Sequence, residues 1–488
     1  MGVSLYTSRV VLNTLGVNDF GIYNVVGGLV TAFTLVSGSL SSASQRFISF
    51  ELGKKEKHNL RDVFSTTVTV HVLLAGIILV LAESVGIWFL NNHMKIDSAR
   101  MYAANWVFQC SLFAFIISLI STPYNAAIIA YEKMKTFAYI GIGEVILKLI
   151  LVLLLPFLLF DKLIVYSIFI MAIAIIVRIL YGYYCKKRLS ECVFVFTWNK
   201  GLFKSIAGFA GWNFIGVSSS VLASQGVSII LNIFCGVTVN AAQGIARQVQ
   251  HAVTGFITNF MTALNPQITK SYASNNHEYM MSLVFQGARY SFYLMFLFSL
   301  PIIIETETIL RLWLKIVPDY AVVFVQLTLI LAISQTYSQT LITAMLATGK
   351  IKTYQIIVGG IQMLNFPLSY IALKFGFSPE STITIAIIIS FACLAARLVL
   401  LKSMIKLPVK RYIVNVFLNT CIVTLLSIII PFAAHYLMSS GLVRLFSVII
   451  LCILSTSFII YFVGISKAER AFVNTKVQAM GVKYGIVR

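Results

Sequence analysis

Apolar runs of about twenty residues follow one another along the whole chain. Short polar connections such as "ELGKKEKHNLRD" (51–62) and "KSMIKLPVKR" (402–411) separate them. A helical run of that length crosses a bilayer core of about 30 Å. In lipid the backbone must satisfy its own hydrogen bonds, so such runs fold as spanning helices. The short alternating segments of a β-barrel are absent from the sequence. Charged residues make up only 11% of the 488, against about one quarter in an ordinary soluble domain. The mean hydropathy is +0.91. The expected fold class is therefore an all-α polytopic membrane protein.

Fourteen spans are expected, near residues 1–16, 21–48, 63–90, 103–129, 137–158, 163–185, 205–234, 240–263, 284–304, 320–347, 353–373, 381–401, 412–436 and 443–465. If the first begins in the cytoplasm, the inward connections and the tail hold 23 of the 37 Lys and Arg, and the outward connections hold seven. An excess of Lys and Arg marks cytoplasmic loops, so both termini are expected there. The same asymmetry accounts for most of the +21 net charge. Nucleic-acid binding is not needed to explain it.

The chain also echoes itself. "AAIIAYEKMKTFAY" from Ala126 and "TAMLATGKIKTYQI" from Thr343 align at an offset of 217, which matches Lys133, Lys135 and Thr136 with Lys350, Lys352 and Thr353. "LNTLGVN" from Leu12 and "LNIFCGV" from Leu231 align at 219, as do Arg178 and Arg397. These matches divide the chain into an N-terminal lobe (1–200, spans 1–6), a C-terminal lobe (201–408, spans 7–12) and two extra helices with a tail (409–488). An even number of helices per copy makes the repeat parallel, with its axis along the membrane normal. Two such lobes suit alternating access.

Several chemistries find no support. The seven cysteines are scattered, with no C-x-x-C. The six histidines form no H-E-x-x-H, so neither a metal nor another cofactor is expected. No G-x-x-x-x-G-K-[ST] nucleotide loop occurs. The first apolar run lacks a basic leader and a small-residue cleavage site, so it is not a signal peptide. No catalytic residues are expected, because the outer loops are too short to carry the acids of a membrane-embedded glycosyltransferase. The chain is not expected to be an enzyme.

"TSRVVLNTLGVNDFGIYNVVGG" (7–28), with Leu15, Gly16, Phe20, Gly21 and Tyr23 as its core, resembles the opening of the Wzx-type polysaccharide (O-antigen) flippases. Ser44-Gln45-Arg46-Phe47 is similar to that family as well. The family belongs to the multidrug/oligosaccharidyl-lipid/polysaccharide exporter superfamily. The resemblance implies a MATE-like architecture of two six-helix lobes plus two helices in a bacterial cytoplasmic (inner) membrane. It implies as substrate a polyprenyl-pyrophosphate-linked oligosaccharide for O-antigen, capsule or exopolysaccharide.

An ionisable residue within a membrane is costly and marks a cavity or a partner. Arg9 lies seven residues before Gly16 and Arg247 seven after Asn240, so both are expected about 10 Å inside the outer surface. Facing a shared cavity, they would clamp a pyrophosphate bidentately. The alternative is that each pairs with a carbonyl at a helix contact. Arg289 would admit an anionic head group or snorkel, and Arg46 closes span 2 beside a basic loop. Arg178 and Arg397 are expected to snorkel toward the cytoplasm. Glu144 and Lys148 are four apart and share a helix face. They form either a structural pair or a site for Na⁺ or H⁺ coupling. The small residues of "TLVSGSLSSASQ" (34–45) and "GVSSSVLASQG" (216–226) favour close helix packing.

The competing readings are a cation-coupled multidrug exporter of the same superfamily and a peptidoglycan-precursor lipid flippase. A cationic-drug cavity needs membrane carboxylates, whereas this chain is dominated by arginines there. Finally, the repeat places the start of span 7 well before the counterpart of Met1. The first helix is therefore expected to be short at its cytoplasmic end.

Overall fold

The computed structural model describes residues 2–475 apart from 32, 55–58, 95, 158, 196–198, 315–316 and 472–473. Several side chains of the N-terminal helix, that of Arg9 among them, and those of Leu35 and Val237 lie outside the described residues. Among the described residues there is no strand. The helices are α1 (Gly2–Thr31), α2 (Thr34–Gly53), α3 (Leu60–Leu81), α4 (Ile87–His93), α5 (Met101–Ala130), α6 (Met134–Leu154) and α7 (Lys162–Arg188). The long α8 (Lys200–Ala273) follows, then α9 (His277–Ile304), α10 (Thr306–Leu314), α11 (Ala321–Thr348), α12 (Lys352–Met363) and α13 (Asn365–Lys374). The series ends with α14 (Ser381–Ile405), α15 (Val409–Tyr412), α16 (Asn419–Leu437) and α17 (Leu442–Ile459).

Eleven helical segments among the described residues are long and apolar enough to cross a membrane. The expected spans 1–16, 21–48 and 240–263 fall on helices that do not reach that measure. Polar stretches such as "SGSLSSASQR" in α2 and "NAAQGIARQVQH" in α8 dilute their apolarity.

Local chemistry starts and breaks these helices. Asp161 accepts the N–H groups of Leu163 and Ile164 at 3.0 and 3.3 Å and so caps α7. Asn199 does the same for α8 through Leu202 N–H. Both α1 and α8 are broken once, at Gly16 (φ 79°, ψ 169°) and Gly236 (φ 80°, ψ −176°). A side chain at such a φ is strained. The two breaks are 220 residues apart, so the backbone pairs Gly16 with Gly236. The sequence match at 219 had set it against Cys235.

The chain divides into two compact units. The first comprises residues 1–218, 265–277 and 346–355. Its core is built on Phe64, Phe108, Leu112, Leu119 and Leu163, all at most 1% exposed. Here the hydroxyl-rich face of α2 packs inward. Ser39 and Ser44 are buried, and Ser39 Oγ donates to Ala210 O at 2.6 Å. At the end of α2, a Cβ on Gly53 would stand 2.5 Å from Lys270 O, so that crossing admits only glycine. Arg100 gathers the carboxylates of Asp19 and Asp161, the latter at 2.6 Å.

The second unit comprises residues 219–264, 278–345 and 356–488. Leu231, Phe324, Val325 and Leu329 form its centre. α16 and α17 join through Ser455 Oγ donating to Ser427 O at 3.0 Å. Their outward faces carry exposed Leu425, Ile429, Val443, Phe446 and Leu454, as a lipid-facing surface requires. Glu305, between α9 and α10, has a fully buried side chain. It meets His435 Nδ1 at 2.7 Å, Thr308 Oγ1 at 2.7 Å and Arg444 Nη2 at 3.1 Å.

Candidate functional site

Each unit contains a polar cavity. That of the first unit, about 350 Å³, lies among α5, α6 and α7. Glu144 and Lys148 are on its wall, and their side chains meet at 2.6 Å. The four-residue spacing on α6 brings them together. Opposite them stand Ser118, Ser121 and Thr122 of α5, with Asn125 donating to Tyr181 OH at 3.2 Å.

The second unit has several cavities: one, about 630 Å³, is lined by Arg289 and Glu469, and another, about 310 Å³, is walled by α8, α11, α12, α13 and α14. Its side chains include Gln335, Ser338, Gln339, Gln362, Asn365 and Arg397. Arg397 is only 6% exposed, and its Nη1 donates to Ser338 Oγ at 3.0 Å. It therefore does not snorkel, contrary to the expectation for its position near the end of a span. Its repeat partner Arg178 stacks on the ring of Tyr124 at 3.8 Å instead.

The two cavities occupy corresponding positions in the repeat. At an offset of 217, Ala114, Ser118, Ser121, Thr122, Asn125, Lys148 and Ile173 correspond to Leu331, Gln335, Ser338, Gln339, Ile342, Asn365 and Ser390, and all fourteen line their respective cavities. Their charges differ. Among the described residues, the first wall carries one acid and one base, while the second carries a guanidinium and no carboxylate.

The other arginines are placed as follows. Arg9 falls in α1, with its side chain outside the described residues. Arg247 donates to Ser224 O at 2.9 Å and to Ser228 Oγ at 2.7 Å. It thus ties the part of α8 after Gly236 to the part before it, one residue away from the cavity wall at Ser224. Arg289 pairs with Glu469 at 2.6 Å, with both side chains largely covered, and also donates to Gly464 O. Arg46 donates to Ala347 O at 3.1 Å and lies over Phe47 and Phe50. Its guanidinium sits where a Cβ on Gly349 would be. Arg46 and Arg289 therefore each have a partner within their own unit, and Arg9 and Arg247 belong to different units.

Sequence reasoning missed Arg397 and the amides around it. A signal was present, because Gln335 and Gln339 stand at the offset positions of Ser118 and Thr122. It also missed the network on Glu305, whose partners lie 130 and 139 residues away.

No family model matches the chain. A curated relative, the uncharacterized membrane protein EpsK of Bacillus subtilis (strain 168), is 20% identical over 292 residues, 59% of this chain. The match spans 57% of that relative's length. Among solved structures, the chain is similar to an outward-facing multidrug resistance MATE family transporter of the MOP superfamily. The TM-score is 0.73 at 11% identity, over 83% of this chain and 91% of that one. It is also similar to a MATE in complex with MaD3S, at TM-score 0.71 and 12% identity, over 83% and 92%. A third likeness, at TM-score 0.70 and 11% identity over 84% and 93%, is to a MOP superfamily transporter from Pyrococcus furiosus Vc1 (DSM3638), whose binding pocket has a reverse polarity that suggests a different function. Identities this low speak for the fold alone, and that fold is the one of the MATE transporters of the MOP superfamily.

Proposed function

We propose that the chain is a flippase that moves a polyprenyl-pyrophosphate-linked oligosaccharide outward across a bacterial cytoplasmic membrane by alternating access. The observation that carries this reading is the charge of the two cavity walls. Glu144 is matched by Lys148, and the charged side chain on the second wall is the cation Arg397. A pocket for cationic drugs would offer unmatched acids in a low-dielectric site. Amides, hydroxyls and a guanidinium suit sugar hydroxyls and anionic oxygens. The reverse-polarity pocket of the Pyrococcus furiosus neighbour gives a precedent for variation of pocket charge within this fold.

In this reading the repeats 1–200 and 201–408 are the transport lobes, and 409–488 is appended to them. Both termini are cytoplasmic. Arg9, Arg247, Arg289 and Arg46 are the substrate-binding cations of this reading. Glu144, held by Lys148, is the group through which Na⁺ or H⁺ drives the cycle.

The test is reconstitution of the full chain in liposomes, following outward movement of a fluorescent polyprenyl-pyrophosphate oligosaccharide, with ethidium efflux measured in parallel. Oligosaccharide movement without dye efflux supports the flippase. Dye efflux without oligosaccharide movement replaces it with the multidrug exporter, whose members share this fold.

A further inference from the structure

Two π-helical turns stand together in the second unit, Ile413–Leu418 before α16 and Ile460–Gly464 after α17. Asn419 joins them, its Nδ2 donating to Val463 O at 3.2 Å. Such turns break the regular helix ladder and recur at functional sites. Both line the cavity of about 630 Å³, and α9 is its third wall. The polarity of that cavity is graded. Gln286, Arg411 and Asn415 stand toward the end where α9 and α15 begin. Among the described residues none of the three has a hydrogen-bond or ion-pair partner. The Arg411 guanidinium lies 6.0 Å from the ring of Phe285, the outer limit of a cation–π contact. Val414, Leu418 and Ile422 follow at four-residue spacing on the cavity wall, each nearly half exposed. From Arg411 to Ile422 the helix advances about 16 Å. Arg289 is matched by Glu469 at 2.6 Å, so Arg411 leaves this wall one unmatched positive charge. A soluble anion has no use for the apolar stripe, and a neutral lipid has none for the guanidinium.

We propose that this cavity holds one resident anionic glycerophospholipid, phosphatidylglycerol. Arg411 takes the phosphodiester, Gln286 and Asn415 take head-group oxygens, and one acyl chain lies along Val414, Leu418 and Ile422. The planar fork of a guanidinium matches two phosphate oxygens, and basic pockets between membrane helices bind anionic head groups. Amides supply both donors and acceptors to hydroxyls. One phosphodiester charge balances the one unmatched cation. The ammonium of phosphatidylethanolamine would find Glu469 already engaged by Arg289. The site goes beyond the flippase reading and does not depend on it.

The experiment titrates the full chain in detergent with phosphatidylglycerol, phosphatidylethanolamine and phosphatidylcholine of equal chain length. Native mass spectrometry counts the lipids retained, and glycerol 3-phosphate and inorganic phosphate are added as soluble competitors. One phosphatidylglycerol is expected to be retained in preference to the other two lipids, and neither soluble phosphate to displace it. Arg411→Gln should weaken it about tenfold, the loss of one charge-assisted contact. Lys410→Gln removes the same charge one residue away, outside the cavity lining, and should leave retention unchanged. Asn415→Leu should weaken the lipid as well. If Arg411→Gln fails to fold, the lipid comparison and Asn415→Leu still decide. Equal retention of the three lipids overturns the proposal. Displacement by either soluble phosphate overturns it too, because the ligand is then a free anion. An equal loss in Lys410→Gln also overturns it, since the attraction then belongs to the basic 402–411 connection as a whole. The flipping assay is a separate readout. Phosphatidylglycerol retention without oligosaccharide movement keeps this site and removes the flippase, and movement without lipid preference does the reverse.

Discussion

Glu305 shows how one residue can hold the ends of several helices together. Burial alone would push its carboxyl up, but hydrogen bonds from Thr308 and His435 and the Arg444 guanidinium outweigh burial and hold it below the usual carboxylate range. Its folded value is depressed, so its stabilisation is present above the ordinary carboxylate pKa and is lost as the pH falls through the depressed one. The melting temperature of the wild type should therefore fall on acidification below about pH 4, and Glu305→Gln should flatten that part of the profile. Arg444→Ala leaves the buried carboxylate short of a cation. It should cost about 3 kcal/mol at neutral pH, read as a lower midpoint of thermal unfolding. Glu144 makes a different prediction. Glu144→Gln should abolish the dependence of transport on a Na⁺ or proton gradient while the protein still inserts and folds. Unchanged gradient dependence in a flux assay would leave the pair a purely structural role. The pair itself was legible in the sequence, because helical spacing fixes which residues share a face. Arg397 was not. Position along a span gives depth, but the direction a side chain takes depends on the helices around it, and α11, with Ser338 on it, helps to turn this arginine inward.

At the scale of elements, the breaks at Gly16 and Gly236 stand out because nothing crowds either glycine. Only the backbone angle demands glycine there. Gly16→Ala and Gly236→Ala should each destabilise by about 1–2 kcal/mol, and denaturation of each variant against the wild type checks this. Asp161 serves two elements at once, capping α7 and pairing with Arg100. Asp161→Ala should cost at least the ~1 kcal/mol of a lost cap, with Asp161→Asn recovering part of it. Apolar length located eleven of the spans, and the motif around Gly16 marked a break. The offset was read one residue short there, since the chemistry of "LNTLGVN" and "LNIFCGV" matches better at 219 while the backbone repeats at 220. Packing, which the hydroxyl-rich stretch of α2 serves through Ser39, outweighed apolarity in that helix.

For the whole molecule, the helical class was readable, because lipid leaves a long chain few ways to satisfy its backbone. The placement of charge in the cavities was not readable in the same way. It depends on which faces of α5 and α6 meet in one unit and of α11 and α14 in the other, and those contacts join residues dozens of positions apart. The proposed orientation, with both termini cytoplasmic, rests on loop charge. Cysteines introduced in the 51–62 and 402–411 connections should react with a membrane-impermeant maleimide only after the cells are opened, and labelling of intact cells would reverse the topology.

The seven matched pairs of wall residues carry a consequence for how such a protein can change. A single ancestral pocket, doubled within one chain, leaves either copy able to drift while its twin keeps working. The two present pockets are then alternative drafts of the same text. At the shared offset, Ile361 and Asn365 stand where Glu144 and Lys148 stand. Ile361→Glu with Asn365→Lys would copy the first pocket's ion pair into the second, and tolerance of the copy would measure how alike the two walls still are.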